Sequence, residues 1–365
     1  MKREQIQEEA KMTYLGSSRK AILQIAQRVG KIKISLMIMQ EIFKGRTSPP
    51  KMLIAYPDNR IQDSWEADMK KWEFPVEKIY IVFCNYSSIW KHADNQYDMV
   101  VLDEIHATSP NQRELMIPLI KSTPNVLGLS GTISKETERE LEDVLKLGII
   151  MRYSVEEAIE DEIIAPYQIT IHMVQLNTTI KAPNKKGKMV SEKDKYDGYT
   201  WVFNKLKREE KDYKFILLHR NRVLQASHSK KLKTIQLLKA NKDKRVIVFT
   251  GLKKISEGLG VPFYHSTSED EGVFDSFKEG KINQIAVVNI GRAGVTFPNL
   301  DVIIINSFTG NEETTEQIIA RALNKETKDK VAYVHIICST EEAEVKKLKK
   351  TLSSFSEENI LWTYK

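Results

Sequence analysis

Short apolar runs, rich in β-branched residues, recur along the chain at intervals that leave room for helices. Each run is continuous, and this pattern is typical of strands in a parallel sheet that is covered on both faces. The runs fall into two groups, at roughly 50–130 and 245–338. The predicted strands are MLIAY (52–56), IYIVF (79–83), MVVLDE (99–104), NVLGLS (125–130), RVIVFT (245–250), QIAVVN (284–289), DVIIIN (301–306) and AYVHIIC (332–338).

Helical patterns lie between the predicted strands, for example at 34–43 and 61–72, and another covers 217–240. Strands that alternate with helices indicate an α/β architecture. The polar stretch 181–214, which contains Pro, Gly and many Lys residues, predicts an exposed loop. We therefore predict two parallel-sheet α/β domains in tandem with a small inserted or bridging region. The predicted segments are an N-terminal domain at 1–165, a basic bridging region at 166–240 and a C-terminal domain at 241–365.

The composition excludes several classes of protein. With 41% hydrophobic and 29% charged residues, the chain is an ordinary folded mixture and not a disordered or collagen-like one. No run reaches the roughly 18 uncharged apolar residues of a membrane span, and the N-terminus lacks the apolar core of a secretion signal. Two cysteines, Cys84 and Cys338, are too few for a disulfide framework or a zinc site. The expected setting is a reducing cytoplasm, with no membrane partner.

Positive charge is concentrated in one segment. The formal net charge is +7, and the stretch His219–Arg245 carries nine Lys and Arg residues against a single acid, Asp243. Such a cluster on a nearly neutral body indicates a polyanionic partner, although a solvated helix face explains it equally well. The candidate nucleic-acid contacts in this cluster are Arg220, Arg222, Lys230 and Lys231.

The strand predicted at 99–104 ends in two adjacent carboxylates, Asp103 and Glu104, which are followed by His106. Ligands in open α/β sheets bind at the carboxyl ends of the strands. There one acid can hold Mg²⁺ while the next polarises a water that attacks a γ-phosphate. The pair can equally end a strand and begin a helix, since acids stabilise helix N-termini. Taken alone, it favours neither interpretation.

Two weaker patterns accompany the carboxylates. Gly30 and Lys31 precede a predicted helix, where backbone N–H groups and a lysine can bind phosphate. The full phosphate-loop pattern is not met, because its first glycine is missing and Ile32 stands at its hydroxyl position. Ser130-Gly131-Thr132 ends a later apolar run, where it can relay a hydrogen bond or form a plain turn. Neither pattern indicates a function by itself.

The order of these three patterns along the chain is more specific than any one pattern alone. Gly30-Lys31, Asp-Glu-Ile-His at 103–106 and Ser-Gly-Thr at 130–132 resemble motifs I, II and III of superfamily-two helicases, with a variant of the DEAH box. The resemblance spans about 1–340 and is to compact helicases of the phage recombination-repair and excision-repair type. The further motifs that fit are Tyr56-Pro57 with Trp65 (motif Ia), 85–88 before the box, 246–249 (motif IV), 294–298 (motif V) and 317–321 (motif VI).

The resemblance implies two RecA-like domains that bind ATP and Mg²⁺ and act on DNA, with RNA left open and protein partners unknown. In a phage-encoded chain the compartment is the host cytoplasm. Asp103 is then the Mg²⁺ ligand, Glu104 positions the attacking water, His106 and Gln317 sense the γ-phosphate, and Arg321 is an arginine finger. The other implied nucleotide-binding residues are Gly30, Lys31, Gln7, Arg28 and Gly294. The implied nucleic-acid contacts outside the basic cluster are Arg60, Ser130, Thr132, Arg292 and Thr296.

Two departures from the family pattern bear on activity. Ile32 replaces the threonine that binds Mg²⁺ in motif I, and Asn324 replaces the last arginine of motif VI. An arginine at the transition state contributes a factor of about 10³–10⁵ in rate, so the uncharged Asn324 is a costly replacement even though Arg321 is retained. The function that the resemblance implies is an ATP-dependent translocase or helicase for duplex or branched DNA in recombination, repair or replication. The alternative is a helicase-derived nucleic-acid-binding or assembly protein with weak or no ATPase activity.

Overall fold

The computed structural model describes residues 1–183, 187–265, 272–288, 300–307, 315, 318–319, 323, 330–352 and 355–364, without the side chain of Arg60. The chain divides into two compact units, of which the first comprises Met1–Ile164 and the second begins at Ala165. Each unit is built on one parallel β-sheet. No helix in the described ranges is long and apolar enough to cross a membrane.

The first unit alternates strands and helices, as the apolar runs predict. Its strands are Lys20–Ile25 (β1), Lys51–Tyr56 (β2), Tyr80–Asn85 (β3), Met99–Leu102 (β4), Asn125–Ser130 (β5) and Gly148–Tyr153 (β6). Its helices are Arg3–Leu15 (α1), Lys31–Phe43 (α2), Arg60–Lys71 (α3), Pro110–Ser122 (α4), Lys135–Glu140 (α5) and Val155–Glu160 (α6). Short helical turns cover Val76–Lys78, Tyr86–His92, Ile105–Ala107 and Leu141–Leu145.

The first sheet has the order β3-β2-β4-β5-β1-β6 with every pairing parallel. All residues of β4 and β5 are buried, so both faces of these strands are covered. This explains why their sequences are continuously apolar. Strand β1 lies between β5 and β6 and was not among the predicted strands. Its position matters because it places the residues that follow it beside the ends of β4 and β5.

The second unit carries a longer sheet. Its strands are Tyr167–Val174 (β7), Ala182–Pro183 (β8), Met189–Val190 (β9), Val246–Thr250 (β10), Phe263–His265 (β11), Gln284–Val288 (β12), Val302–Ile305 (β13), Ala332–Ser339 (β14) and Ile360–Tyr364 (β15). Its described helices are Glu192–Arg208 (α7), Lys214–Gln225 (α8), His228–Ala240 (α9), Lys253–Glu257 (α10), Gly272–Lys278 (α11) and Glu342–Thr351 (α12), with a short turn at Glu357–Asn359. The sheet order is β11-β12-β10-β13-β14-β7-β15, again entirely parallel, and β8 and β9 form a separate antiparallel pair.

The predicted bridging region at 166–240 is not separate from the second sheet. Strand β7 pairs in parallel with β14 along eight residues, from Tyr167 opposite Ala332 to Val174 opposite Ser339. Strand β15 pairs with the other side of β7. The chain divides after Ile164, and the segment that follows belongs to the second unit because its first strand, β7, is paired on both sides within that sheet.

The middle of the chain is also more helical than predicted. The stretch 181–214 was expected to be an exposed loop, yet α7 occupies Glu192–Arg208. Ser191 begins this helix with a capping box, in which its hydroxyl accepts the Asp194 N–H and its own N–H is bound by the Asp194 carboxylate. The predicted helix at 217–240 is two helices, because the Ser227 side chain caps the start of α9.

Candidate active site

Three neighbouring strands of the first sheet end at the same edge. In the order β4-β5-β1, β4 is followed by Asp103, β5 ends in Ser130, and β1 leads to Lys31 at the start of α2. The carboxyl ends of parallel strands face the same way, so the three predicted motifs meet although they are up to a hundred residues apart in sequence. Hydrogen bonds and an ion pair join residues of the three motifs into one cluster.

Asp103 is fixed by buried donors. Its Oδ2 accepts a hydrogen bond from Trp65 Nε1 at 2.8 Å, and its Oδ1 accepts one from the Glu104 N–H at 3.0 Å. The Tyr86 hydroxyl donates to the Asp103 carbonyl at 2.8 Å. Burial, reinforced by the neighbouring Glu104 charge and opposed by Lys31, raises the pKa of Asp103 to about 6. A cation at this carboxylate favours its ionised form.

Glu104 occupies a strained turn directly after Asp103, with φ of 49° in the left-handed region. Its Oε1 lies 3.4 Å from Lys31 Nζ, and its carboxylate accepts the backbone N–H of Gly131. Burial raises the pKa of Glu104, but the Lys31 charge and these hydrogen bonds outweigh burial and lower it overall. Motifs I, II and III therefore meet at one ionised carboxylate.

His106 and Ser130 form a second link between the predicted motifs. The Ser130 hydroxyl donates to the Thr132 carbonyl at 2.8 Å, so it accepts from His106 Nδ1, which lies 2.5 Å away. This geometry assigns the Nδ1–H tautomer to the imidazole. Ser130 is fully buried, so the prediction that it contacts nucleic acid is replaced by a structural role between His106 and Thr132.

The loop between β1 and α2 turns through two left-handed residues, Arg28 (φ 71°) and Gly30 (φ 104°). A Cβ at Gly30 would lie 2.6 Å from Gln7 Nε2, so position 30 requires glycine for both its backbone and its contact. Gln7 donates from Nε2 to the Val29 carbonyl at 2.7 Å. Its buried Oε1 has no hydrogen-bond partner within the part of the chain that the structure describes.

These residues fit a nucleotide. No side chain caps the start of α2, whose first-turn N–H groups, with Lys31, suit an anion. The buried acceptor Oε1 of Gln7 suits an exocyclic amine such as that of adenine.

They fit Mg²⁺ with a reduced set of ligands. Ile32 offers no oxygen, and the Ser35 hydroxyl is turned to the Lys31 carbonyl at 3.0 Å. No group of three or more His, Cys, Asp or Glu side chains that could hold a metal occurs in the described ranges. Asp103 is the carboxylate that would hold Mg²⁺, and a single protein ligand is compatible with this ion because it usually keeps several waters and binds phosphate oxygens.

Several predicted residues lie outside the described residues, so the structure does not place them. They are Gly294, Arg292, Thr296, Gln317, Arg321 and Asn324, and the side chain of Arg60.

The basic cluster does not form one exposed face. Arg222 is exposed and Lys231 is half-buried, so both keep the solvent access that a nucleic-acid contact requires. Lys230, in contrast, is completely buried and forms an ion pair with Glu344, so its prediction as a nucleic-acid contact is wrong. Arg220 is buried as well, with 9% of its surface exposed. Half of the predicted contacts in this cluster are therefore inside the second unit.

Trp65, Tyr86 and Gly131 lie in segments that the sequence singles out, but the supporting role of the Trp65 indole, the Tyr86 hydroxyl and the Gly131 N–H was not predicted. All three bind the Asp103–Glu104 turn from other elements. A buried-aromatic signal was available, because Trp and Tyr need a partner for their polar atom when they are buried. Their partner could not be deduced from spacing alone.

Comparisons with known proteins agree with this picture. Residues 227–326 match the family model described as the helicase conserved C-terminal domain. A comparison with curated proteins found no match. Among solved structures, Saccharomyces cerevisiae Dbp5 bound to RNA and ADP BeF3 is similar, with a TM-score of 0.60, 13% identity and coverage of 98% of this chain and 89% of that chain.

A variant of Dbp5 in the same complex has a TM-score of 0.61, also at 13% identity, over 98% of this chain and 89% of that one. The helicase domain of Pyrococcus furiosus Hef has a TM-score of 0.53 at 13% identity, over 94% of this chain and 97% of that chain. The fold class predicted from the sequence, two RecA-like parallel-sheet domains, is confirmed. The match at 227–326 relates this part of the chain to the C-terminal domain of helicases, and the likeness to the solved structures shows the fold.

Proposed function

We propose that the chain is an ATP-dependent nucleic-acid translocase or helicase that acts on duplex or branched DNA. The observation that carries the proposal is the cluster at the carboxyl edge of the first sheet, where Lys31, Asp103 and Glu104 lie together. The match to a helicase C-terminal domain supports it independently from the second unit. The Dbp5 structure, which holds RNA and ADP BeF3, supports a nucleotide as the ligand of a chain with this fold.

The residues of the cluster divide the work of phosphoryl transfer. Lys31 and the first-turn N–H groups of α2 bind the phosphates, and Gln7 presents an acceptor to the base. Asp103, held rigidly by Trp65, binds Mg²⁺, which supplies charge neutralisation at the phosphates. Glu104 is ionised and is positioned to accept a proton from an attacking water.

The hydrogen bonds between His106, Ser130 and Thr132 provide a path from the carboxylates toward the proposed nucleic-acid contacts. His106 donates to Ser130, whose hydroxyl is bonded to the Thr132 carbonyl, so a shift of Glu104 or His106 is transmitted to the chain after β5.

Thr132, Arg222 and Lys231 are the described residues proposed to contact nucleic acid. Gln317 and Arg321 are the proposed γ-phosphate sensor and arginine finger, Gly294 is a proposed nucleotide contact, and Arg292 and Thr296 are proposed nucleic-acid contacts. The proposed setting is the cytoplasm.

The test is steady-state ATP hydrolysis by the full chain with no nucleic acid, with single-stranded or branched DNA, and with RNA of the same sequence. We expect hydrolysis that DNA stimulates, because the hydrogen-bond path through His106 and Ser130 joins the carboxylates to the nucleic-acid side. Stimulation by RNA alone would replace the proposed substrate and keep the motor. Absence of hydrolysis under all conditions, in a chain that circular dichroism shows to be folded, would refute the proposal.

Ile32 favours a second candidate, a helicase-derived nucleic-acid-binding protein that does not turn over ATP. Position 32 lacks a hydroxyl and Ser35 does not replace it. In that case Glu104→Gln leaves function unchanged, since no water is activated. The matched variant Ile32→Thr separates the two candidates: raised turnover shows that a weakened motor is present. Undetectable turnover in both the wild type and Ile32→Thr favours the binding protein.

A further inference from the structure

A cavity of about 270 Å³ lies within the second unit. It is lined by residues of α7, α8 and α12 and by Ser307, which follows β13. A Cβ at Gly251, the residue after β10, would lie 2.9 Å from Ser307 Oγ and 3.0 Å from Gln225 Cδ. The cavity therefore sits at the carboxyl ends of two adjacent parallel strands, where ligands of α/β sheets bind.

Arg220 is the unusual residue of this cavity. It is buried, with 9% of its surface exposed, and its buried Nε has no hydrogen-bond partner. Within the described part of the chain its guanidinium makes contact with ring faces only, at 4.7 Å from the Phe203 centroid and 5.8 Å from the Tyr196 centroid. Burying a charge without an anion is costly, and the aromatic faces offset only part of that cost.

The carboxylate that lines the cavity does not serve Arg220. Glu344 forms an ion pair with the fully buried Lys230, and its Oε2 accepts the Ser339 N–H at 2.8 Å. Lys347 adds another cation to the wall. Burial lowers the pKa of Lys347, and Lys230 and Arg220 lower it further against the opposing effect of Glu344. Arg220 and Lys347 are the cations among the lining residues that the structure describes.

The lining selects the ligand. A guanidinium binds two oxygens of one anion in a planar fork, and phosphate and carboxylate both present such a pair. Phosphate has more acceptor oxygens than a carboxylate and therefore suits a cavity with several donors. The Asn221 and Gln225 amides and the Ser307 hydroxyl line the same cavity and supply further donors. We propose that this cavity binds a phosphate group, with Arg220 as its principal ligand.

The site is separate from the nucleotide cluster of the first unit, and the inference does not depend on ATP hydrolysis. A phosphate group can come from the interior of a nucleic-acid strand, from its 5′ end, or from a small phosphorylated molecule. All three present a pair of non-bridging oxygens to Arg220, so the experiment has to separate them.

The experiment is hydrogen–deuterium exchange of the full chain, read in peptides that cover α8 (214–225) and, separately, α2 (31–43). The probes are inorganic phosphate at constant ionic strength and a short single-stranded DNA with or without a 5′-phosphate. We expect phosphate to protect α8. In Arg220→Gln the phosphate concentration needed rises about 10- to 100-fold, because hydrogen bonds to charged groups are lost. The matched control is Lys214→Gln, an exposed cation on the same helix, which leaves the titration unchanged.

The DNA probes identify the source. Protection by DNA without a 5′-phosphate indicates an internal phosphate, protection only by the 5′-phosphorylated strand indicates an end, and protection by inorganic phosphate alone indicates a small molecule. The proposal is overturned if phosphate protects α2 but not α8, or if Arg220→Gln and Lys214→Gln respond alike.

A purely structural role for Arg220 is tested in phosphate-free buffer. The proposal predicts that Arg220→Gln keeps or raises the thermal midpoint, because an unpaired buried charge is removed. A lower midpoint with unchanged phosphate affinity contradicts it. A chain that hydrolyses no ATP but shows α8 protection refutes the proposed function and leaves this site standing.

Discussion

The buried ion pair between Lys230 and Glu344 gives the sharpest prediction about stability. Lys230 is completely inaccessible and Glu344 is 6% exposed, so water cannot solvate either charge if the other is removed. Replacing Lys230 by Met removes the cation that is paired with Glu344. The Glu344 carboxylate then keeps the hydrogen bond from the Ser339 N–H. Breaking a buried pair in this way costs about 3–5 kcal/mol. We expect Lys230→Met to lower the free energy of unfolding of the second unit by this amount.

The assay follows urea unfolding by hydrogen exchange in peptides of α9 and α12, which report on the second unit. With a urea dependence of about 1–3 kcal/mol per M, the midpoint falls by about 1–5 M. The double variant Lys230→Met with Glu344→Gln is expected to recover much of the loss, since it removes both charges and keeps an acceptor for Ser339. The matched control is Lys346→Met, which breaks the exposed Lys346–Glu342 pair on α12 and leaves the midpoint unchanged. Equal midpoints for Lys230→Met and Lys346→Met would refute the reasoning.

Three further predictions concern single residues. Gly30→Ala places a Cβ against the Gln7 amide at a φ that disfavours alanine, so ATP affinity falls at least about tenfold in equilibrium binding, and normal affinity contradicts the loop geometry. Trp65→Phe removes the donor to buried Asp103 and lowers the stability of the first unit by about 1–3 kcal/mol in a urea titration; no loss argues against the bond. Burial, together with nearby lysines, lowers the pKa of His335 to about 4, so only the unfolded chain binds its proton between pH 6.5 and 4. The contribution of His335 to the stability of the second unit is therefore full above pH 6.5 and declines toward pH 4. We expect His335→Asn to flatten this decline, and an equally steep decline in the variant would contradict the burial of His335.

The parallel sheets were largely predictable because their strands are short, apolar and continuous. Strands β2, β4, β5, β10, β13 and β14 all coincide with predicted runs. Strand β7 was missed because it alternates: YQITIHMV has polar residues at every second position of its first half, which resembles a half-exposed strand. Its partner β14 follows about 165 residues later, and no local pattern specifies a pairing over that distance.

The candidate site was predictable as a set of residues, and its supports were not. Asp103, Glu104 and Lys31 were identified from motif order, and they do lie together. The donation from Trp65 depends on how α3 packs against the end of β4, which local spacing does not reveal.

Charge counting was misleading in the basic cluster for the same reason. Lys230 looks like any surface lysine until Glu344, 114 residues away, is brought against it. Arg220 likewise counts toward a positive face in the sequence but lies inside the second unit.

The central claim is that the carboxylate cluster of the first unit turns over ATP in response to nucleic acid. The most direct measurement is the rate of ATP hydrolysis with and without branched DNA, for the wild type beside Glu104→Gln, which retains the shape of the side chain without its charge. We expect DNA to raise the wild-type rate, and we expect Glu104→Gln to lower the stimulated rate by about 10²-fold or more, as the loss of a general base does. Equal rates in the two proteins, or a wild-type rate that DNA does not change, would contradict the claim.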